Sequence, residues 1–338
     1  SALYAENHDS KFANLQAVQL NPADYPNTVV VVIGESETRT LMNAYNPRPR
    51  PQYAVADRMK ANPDFTLFTN AYSSVWYTVP VLEHALTESN FYNNKPFNES
   101  ISIIDMAKKP AIRRTGSATR VRSRRRYTDH LSRQYGRRFG MGRPRFEGID
   151  TGRCLLQFLK RVNPKEKNFV VLHLMGSHIE YRNRYPKEFQ KFDDGHLNRA
   201  ADFDNTVLYT DWVLSQIFDY ARENLNLDAM VYFSDHGSDP DVARQPDSAS
   251  FKVLRIPMFV YLSEGYQQRN PDVVSAVKAN KDKFFTNDLE YEFICGILNM
   301  QSPNYDPTMS IASSKWKMER KDLVTRFGQT SLLEDKEY

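Results

Sequence analysis

Residues 28–36 read Thr-Val-Val-Val-Val-Ile-Gly-Glu-Ser, and this stretch decides the fold of the chain. Five consecutive β-branched residues, Val29 to Ile33, have no polar side chain among them. A strand that is apolar on both faces is typical of the middle of a parallel sheet, where helices cover each side. The stretch therefore predicts a central strand that ends near Gly34 and continues into a polar turn at Glu35.

Similar apolar runs recur along the chain and alternate with segments of helical periodicity. The strands are predicted at 66–69, 168–174, 229–233 and 257–262, and the helices at 80–87, 152–161, 205–222 and 287–299. This alternation predicts an α/β fold with a mostly parallel central sheet and helices on both faces. No run approaches the roughly 18 apolar residues of a membrane-spanning helix. Because the sequence starts with Ser and lacks a signal-peptide pattern, we interpret it as a fragment.

Acidic and imidazole side chains lie at the carboxyl ends of three predicted strands. Glu35 follows the first strand, His173 and His178 lie at the end of the third, and Asp235 and His236 follow the fourth. Ligands bind beyond the carboxyl ends of such strands. Carboxylate and imidazole are ligands that zinc, manganese and iron prefer. The pattern therefore predicts a metal site at one edge of the sheet.

Each of these residues also has a plain structural interpretation. Glu35 could cap a helix that starts near Ser36, and His173 could be a buried, hydrogen-bonded histidine within an apolar run. The Asp235-His-Gly sequence could be a simple turn. The coincidence of three strand ends favours the metal site over these alternatives.

A candidate nucleophile occurs in the segment Ser-Ser-Val-Trp-Tyr-Thr-Val-Pro at 73–80. Because proline favours the first turn of a helix, Pro80 predicts that Thr78 lies at a helix N-terminus. That position offers free N–H groups and the positive end of the helix dipole, which favour a phosphate and a partly ionised hydroxyl. The alternative is that Thr78 is only the helix N-cap.

The segment 110–153 carries a large excess of positive over negative charge. It has 13 Arg, no Lys and three acidic residues, whereas the whole chain has a net charge of +4. Three interpretations stay open: a polyanion-binding patch, a solvated basic loop, and a shifted reading frame in GC-rich DNA. The absence of Lys favours the last two, and we expect no nucleic-acid partner.

Several motifs occur in an order that resembles the periplasmic catalytic domain of bacterial phosphoethanolamine transferases, in the alkaline phosphatase and sulfatase superfamily. The resemblance covers 27–109 and 154–338. Its motifs are Val-Val-Ile-Gly-Glu-Ser-x-x-Arg at 31–39, the block at 73–78, His-Leu-Met-Gly-Ser-His at 173–178 with Arg-Tyr-Pro at 184–186, Asp-Asn-x-x-Leu-Tyr-Thr-Asp at 204–211, Ser-Asp-His-Gly at 234–237, and Asn-Tyr-Asp-Pro at 304–307 with Ser-Ile-Ala-Ser at 310–313.

The resemblance implies one zinc ion, with room for a second. It implies that Glu35, Thr78, Asp235 and His236 hold this zinc, and that Thr78 is the nucleophile that forms a covalent phosphothreonine-type intermediate.

Other site residues also follow from the resemblance. His178 and His173 are expected to bind phosphate or to move protons, and Arg39 is a candidate for substrate binding.

The implied reaction moves phosphoethanolamine from phosphatidylethanolamine to lipopolysaccharide, at lipid A or a core sugar, or to another envelope glycan. The implied location is the bacterial inner membrane with the catalytic domain in the periplasm, anchored by N-terminal transmembrane helices that this sequence lacks. Residues 1–26 are then a juxtamembrane lead-in, and residues 27–338 are the catalytic domain.

Two other functions stay open. One is a phosphatase- or sulfatase-type hydrolase, although no Cys-x-Pro-x-Arg motif is present. The other is an inactive fragment that keeps the fold. Three departures from the resemblance matter here: no His follows His236, Ser238 stands in place of the commoner Glu, and the residues after Lys109 do not match the expected aromatic strand.

Overall fold

The structure is a computed structural model that describes residues 11–16, 25–46, 61–108, 151–192, 198–242 and 250–337. Most of the Arg-rich segment at 110–153 lies outside the described residues. The strands are β1 (Thr28–Gly34), β2 (Phe65–Phe68), β3 (Asn70–Tyr72), β4 (Asn168–His173), β5 (Leu227–Ser234), β6 (Met258–Leu262), β7 (Phe284–Thr286), β8 (Val324–Thr325) and β9 (Thr330–Ser331). The helices that concern the core and the site are α1 (Thr78–Ala85), α2 (Ile103–Lys108), α3 (Thr151–Leu159), α4 (Arg199–Asn224), α5 (Glu264–Arg269), α6 (Pro271–Asn280) and α7 (Glu290–Ile297).

The central sheet has five strands in the order β2-β6-β5-β1-β4. β1 pairs in parallel with β4 and β5, whereas β6 runs antiparallel to both β5 and β2. Four strands therefore share one direction, which confirms the predicted mostly parallel sheet. The direction of β6 could not be read from its sequence, because an apolar run looks the same in both directions.

The alternating side chains of β1 enter two different cores, one on each face of the sheet. Val29, Val31 and Ile33 pack in a core with residues of α1, α6 and α7. Val30 and Val32 pack in a second core with residues of α3 and α4. Helices thus cover both faces, as the continuous apolar run predicts.

The predicted helices are present with shifted ends. α4 starts six positions before the predicted residue 205, because Asn198 caps it by accepting hydrogen bonds from the backbone N–H groups of Ala200 and Ala201. The predicted helix at 287–299 divides into a 3-10 turn at 287–289 and α7.

The hairpin of β8 and β9 supports the segment that leads into α1. Thr325 Oγ1 donates to the carbonyl oxygen of Ser73 at 2.8 Å, a contact between positions 252 apart in the sequence. The backbone N–H of Phe327 donates to the carbonyl oxygen of Ser74 at 3.3 Å. Nearby, the buried Arg255 and Asp335 form an ion pair.

Part of the predicted lead-in packs against the domain. Leu15 and Tyr25 are buried in the first core, and Tyr25 Oη donates to the carbonyl oxygen of Ala107 at 3.0 Å. The boundary at residue 26 stays a prediction. None of the helices in the described ranges combines the length and the hydropathy needed to cross a bilayer.

Candidate metal centre

The register of the central sheet brings the predicted strand ends together. In the parallel pairing, Gly34 lies opposite Ser234 and Ile33 lies opposite His173. The next residues, Glu35 and Asp235, therefore leave the sheet side by side at its carboxyl edge.

Glu35, Asp235 and His236 form a buried cluster. Each offers one ligand atom, and these atoms all lie within 4.8 Å of one another. His236 Nε2 lies 3.4 Å from Glu35 Oε1 and 3.5 Å from Asp235 Oδ2. This arrangement places three of the four predicted zinc ligands around one point.

The hydrogen bonds of Asp235 fit a cation in this cluster. Its Oδ1 accepts the backbone N–H groups of Ser36 at 3.0 Å and His236 at 2.7 Å. Its Oδ2 is buried and has no hydrogen-bond partner among the residues that the structure describes. A buried carboxylate oxygen is costly unless a donor or a cation satisfies it. The donor set of two carboxylates and one imidazole suits zinc.

Thr78 completes the cluster from a different element. It is the first residue of α1, and its Oγ1 donates to Glu35 Oε2 at 3.1 Å and lies 3.5 Å from His236 Nε2. The N-cap of α1 is Tyr77, so the interpretation of Thr78 as a simple N-cap is wrong. Its hydroxyl instead faces the metal cluster.

Two backbone features hold Glu35 in place: Ser36 has a left-handed conformation, and a glycine, Gly176, lies against the backbone of Glu35. Ser36 has a φ of 61°, in the left-handed region. Gly176 has a φ of 39°, and a Cβ there would lie 2.6 Å from the carbonyl oxygen of Glu35. The absence of that Cβ lets Ser177 N donate to the same oxygen at 2.8 Å. The loop after β4 thus holds Glu35 in place.

Burial and neighbouring charges move the pKa values of the two carboxyl groups in opposite directions. Burial acts to raise the pKa of Glu35, but its interaction with His173 and the charge of His236 outweigh this, so the pKa lies well below its usual range. Burial raises the pKa of Asp235 to about 6; His236 opposes this rise and the charge of Glu35 adds to it. Glu35 is therefore the more readily ionised of the two.

His173 lies beside the cluster, with its Nε2 3.6 Å from Glu35 Oε2. Burial acts to lower the pKa of His173, but Glu35 and the charge of Asp235 outweigh it and raise this pKa. His178 is half-buried further along the same loop, where its Nδ1 lies 3.4 Å from Nη2 of Arg184. Their catalytic roles stay predictions.

Arg39 is buried and packs against the backbone and ring of neighbouring residues. Its guanidinium lies over the ring of Tyr72, 4.6 Å from the centroid, and Nη1 donates to the carbonyl oxygen of Ala71. These contacts support the segment before Thr78, and they give no support to the predicted role of Arg39 in substrate binding.

A buried polar network beside the cluster was not predicted from the sequence. Asn287, Ser73 and Ser74 are all completely buried and are hydrogen-bonded to one another. Asn287 directly follows β7, and this strand of three residues is too short to give a recognisable sequence pattern. The position of Asn287 at a strand end is the one signal that could have suggested it.

The sequence profile of the sulfatase family matches residues 27–289. The chain belongs to the sulfatase family. This confirms the family and the fold that the motifs predict. It assigns no substrate by itself, because members of one fold family carry out different reactions.

Curated relatives of this sulfatase-family chain are named as phosphoethanolamine transferases. Phosphoethanolamine transferase EptC of Escherichia coli strain K12 is 27% identical over an alignment of 344 positions, gaps included, which covers 91% of this chain and 57% of the relative. Phosphoethanolamine transferase CptA of Salmonella typhimurium strain LT2 is 27% identical over an alignment of 353 positions, gaps included, which covers 97% of this chain and 60% of the relative. The chain thus spans less than two thirds of the length of these relatives.

Solved structures share the fold. The C-terminal periplasmic domain of EcEptC from Escherichia coli, in complex with Zn, aligns with a TM-score of 0.72 and 24% identity over 93% of each chain. The soluble domain of lipooligosaccharide phosphoethanolamine transferase A from Neisseria meningitidis aligns with a TM-score of 0.68 and 19% identity over 88% of this chain and 96% of that chain.

Proposed function

We propose that the chain is the catalytic part of a zinc-dependent phosphoethanolamine transferase. It would transfer phosphoethanolamine from phosphatidylethanolamine to lipopolysaccharide, at lipid A or a core sugar, or to another envelope glycan. One observation carries this proposal: the Thr78 hydroxyl lies 3.1 Å from Glu35 within a cluster of carboxylates and imidazole, at the first residue of a helix. The names of the curated relatives support the choice of substrate class.

Glu35, Asp235, His236 and Thr78 are the residues that would hold one zinc ion. Bound there, zinc would lower the pKa of the Thr78 hydroxyl and offset charge on the phosphoryl oxygens. The unpartnered Asp235 Oδ2 supports this donor set, and the zinc complex of a protein with the same fold is consistent with it. The sequence pattern leaves room for a second ion.

In the first half-reaction, Thr78 Oγ1 attacks the phosphorus of phosphatidylethanolamine. A bond forms between Oγ1 and phosphorus, and the bond between phosphorus and the glycerol oxygen breaks, so diacylglycerol leaves after taking up a proton. The hydrogen bond from Thr78 Oγ1 to Glu35 Oε2 orients the hydroxyl for this attack, and the proton that Oγ1 loses would pass to the histidines that move protons. The product is a phosphoethanolamine ester of Thr78.

In the second half-reaction, an oxygen of the glycan acceptor attacks the same phosphorus. The bond between phosphorus and Thr78 Oγ1 breaks, and Oγ1 regains a proton. His178 and His173 would bind the phosphoryl oxygens or move protons in these steps. The free N–H groups at the start of α1 would also favour the negative charge on the phosphoryl oxygens.

The proposed location is the periplasmic side of a bacterial inner membrane. The integral membrane protein lipooligosaccharide phosphoethanolamine transferase A from Neisseria meningitidis aligns with 91% of this chain, which covers 62% of that chain, at a TM-score of 0.66. By analogy, we propose that the catalytic domain works beside a membrane that supplies the lipid donor.

A covalent-adduct experiment tests the proposal. Incubation with phosphatidylethanolamine should add one phosphoethanolamine group to the peptide that contains Thr78, as seen by mass spectrometry. Thr78→Ala should abolish the adduct without unfolding the protein, because Thr78 is not the N-cap of α1. Thr78→Ser should retain part of the activity, since only a methyl group is lost.

The same experiment separates the other functions. A hydrolase would release free phosphoethanolamine to water without any glycan, whereas a transferase would keep the adduct until an acceptor is added. An adduct on Ser73 or Ser74 would contradict the assignment of Thr78. The inactive-fragment alternative predicts no adduct in this chain, so a version with the reading frame corrected across 110–153 is tested in parallel.

A further inference from the structure

Asn287 connects the backbone of the nucleophile segment to the backbone of the metal-ligand loop. Its Nδ2 donates to the carbonyl oxygen of Asp235 at 2.7 Å. Its Oδ1 accepts the backbone N–H of Ser74 at 2.9 Å. Asp235 is adjacent to His236, and Ser74 lies four residues before Thr78. A single planar amide therefore spans the two parts of the site.

The carbonyl oxygen of Asp235 also accepts a hydrogen bond from a second side chain. Ser73 Oγ donates to it at 2.6 Å, and Asn287 Nδ2 lies 3.3 Å from the same Ser73 Oγ. Asp235 comes directly after the end of β5, so its carbonyl has left the strand. Buried backbone oxygens need partners, and here both are side chains from other elements.

We infer that Asn287 is a positioning residue that sets the distance between the Thr78 hydroxyl and the metal ligands. The short hydrogen bonds at both ends of its amide fix how closely the two backbones approach each other. If this link is lost, the Ser73 hydroxyl is the contact described above that still joins Asp235 to the segment before Thr78. The spacing of 3.5 Å between Thr78 Oγ1 and His236 Nε2 then has less support. The inference rests on the proposed metal centre.

A purely structural role is the alternative, and the chain offers a matched control. Asn280 is also a buried asparagine, and its Nδ2 donates to the carbonyl oxygens of Ile311 at 3.0 Å and Ser313 at 3.2 Å. Those contacts join the end of α6 to a loop and include no residue of the metal cluster. Replacing either asparagine by alanine removes comparable hydrogen bonds, but only Asn287 contacts the site.

The first test measures the metal site without turnover. Cobalt(II) is bound to the metal-free wild-type chain, Asn287→Ala and Asn280→Ala, and its visible spectrum and zinc-competition affinity are recorded. We expect Asn287→Ala to shift the spectrum and to weaken metal binding by about 10- to 100-fold, the range found for residues that orient metal ligands. Asn280→Ala should stay within about twofold of wild type, because distant substitutions act independently.

The second test measures the rate of the Thr78 adduct with saturating metal. We expect Asn287→Ala to slow adduct formation about 10- to 100-fold, with little change in KM, because the amide positions a reacting group and does not touch the lipid. Combining Asn287→Ala with Ser73→Ala should give less than the product of the two single effects, since both side chains hold the same carbonyl oxygen.

A more conservative variant covers the case in which Asn287→Ala does not fold. Asn287→Asp keeps the acceptor for Ser74 N but loses the donor to the Asp235 carbonyl oxygen, and we expect it to show the same spectral shift. If the wild-type chain forms no adduct, the proposed transferase function fails. The cobalt spectra do not depend on the adduct, so they still test the role of Asn287. An unchanged spectrum and affinity in both Asn287 variants, or equal losses in Asn280→Ala, would overturn the inference.

Discussion

Four side chains from three separate parts of the chain converge on one point. Glu35 and Asp235 are delivered by neighbouring parallel strands, His236 by the following position, and Thr78 by the first residue of α1. The sequence predicted this convergence because each residue follows a strong strand or precedes a helix signal. Asn287 was missed because its partner Ser74 lies 213 positions away, and no local pattern reports such a contact.

At the residue scale, the first prediction concerns the metal. We expect about one zinc per chain, the stoichiometry of a single tetrahedral site. Asp235→Ala and His236→Ala should each lose it, because each removes one ligand from the cluster. Metal analysis of purified, folded protein checks this. His84→Ala is the control, since His84 lies on α1 and contacts Ser89 instead of the cluster. Wild-type protein that folds without any transition metal would contradict the prediction.

A second residue-scale prediction concerns Glu292, which is buried on α7. Burial raises its pKa from the ordinary value of 4.5 to about 8, although the N–H of Asp306 opposes the rise. The raised pKa means that the folded state favours the neutral carboxyl group of Glu292. This contribution to stability is fully present below pH 4.5 and is lost as the pH rises to about 8. Glu292→Gln should therefore raise the free energy of unfolding by about 2–4 kcal/mol at pH 8 and by almost nothing at pH 4.

Urea unfolding at the two pH values measures this difference. Glu166→Gln, which makes the same change at an exposed position, is the control. A gain for Glu292→Gln that is the same at both pH values would mean that the buried carboxyl does not titrate as stated.

At the element scale, long strands and helices were predictable and short ones were not. β1 and β5 are seven and eight residues long and fully buried, so their apolar runs are unambiguous. β3 and β7 have three residues each, and β8 and β9 have two, which is too short for any periodicity. β3 and β7 pair between distant positions, whereas β8 and β9 form a local hairpin. Both pairs support the segment before Thr78.

The ion pair between Arg255 and Asp335 gives a prediction at this scale. Both side chains are buried, and Tyr72, at the end of β3, donates its hydroxyl to Asp335 Oδ2 at 2.9 Å. Asp335→Ala leaves Arg255 buried without its main partner and should lower the free energy of unfolding by about 3–5 kcal/mol. Asp335→Ala should also slow adduct formation at Thr78, because Tyr72 loses its partner and lies directly before Ser73, in the segment that leads to Thr78.

Denaturant unfolding and the adduct rate are measured together. Glu337→Ala is the matched control: Glu337 also pairs with Arg255, but its side chain is 66% exposed. Its loss should cost less than about 1 kcal/mol. Equal effects of the two substitutions would show that burial of the pair is not what matters.

At the scale of the whole molecule, the charge is unevenly distributed. The segment 110–153 has 13 Arg and three acidic residues, although the chain as a whole carries only +4. We predict that this charge is not needed for catalysis. Replacing the arginines at 113–145 by glutamine should leave the Thr78 adduct rate unchanged, relative to the same protein before replacement.

A DNA shift assay at two salt concentrations provides the second measurement for this prediction. Polyanion binding would be steeply salt-dependent and would disappear in the glutamine variant. Tight DNA binding by the unchanged protein, together with loss of the Thr78 adduct in the glutamine variant, would mean that the segment contributes to function. Sequencing the encoding DNA across codons 105–155 would show whether a shifted frame produced the segment.

The contact between Thr325 and Ser73 affects the order in which parts of the site can form during synthesis. Its two partners are 252 positions apart, and synthesis at about 5–20 residues per second separates their appearance by roughly 13–50 s. In the last part of that interval, after Asp235 has been made, the strands that carry Glu35 and Asp235 are complete, but the segment before Thr78 still lacks its contact with the β8–β9 hairpin. We therefore expect the strand ends that carry the cluster to be complete before the segment that leads to Thr78 has its full support.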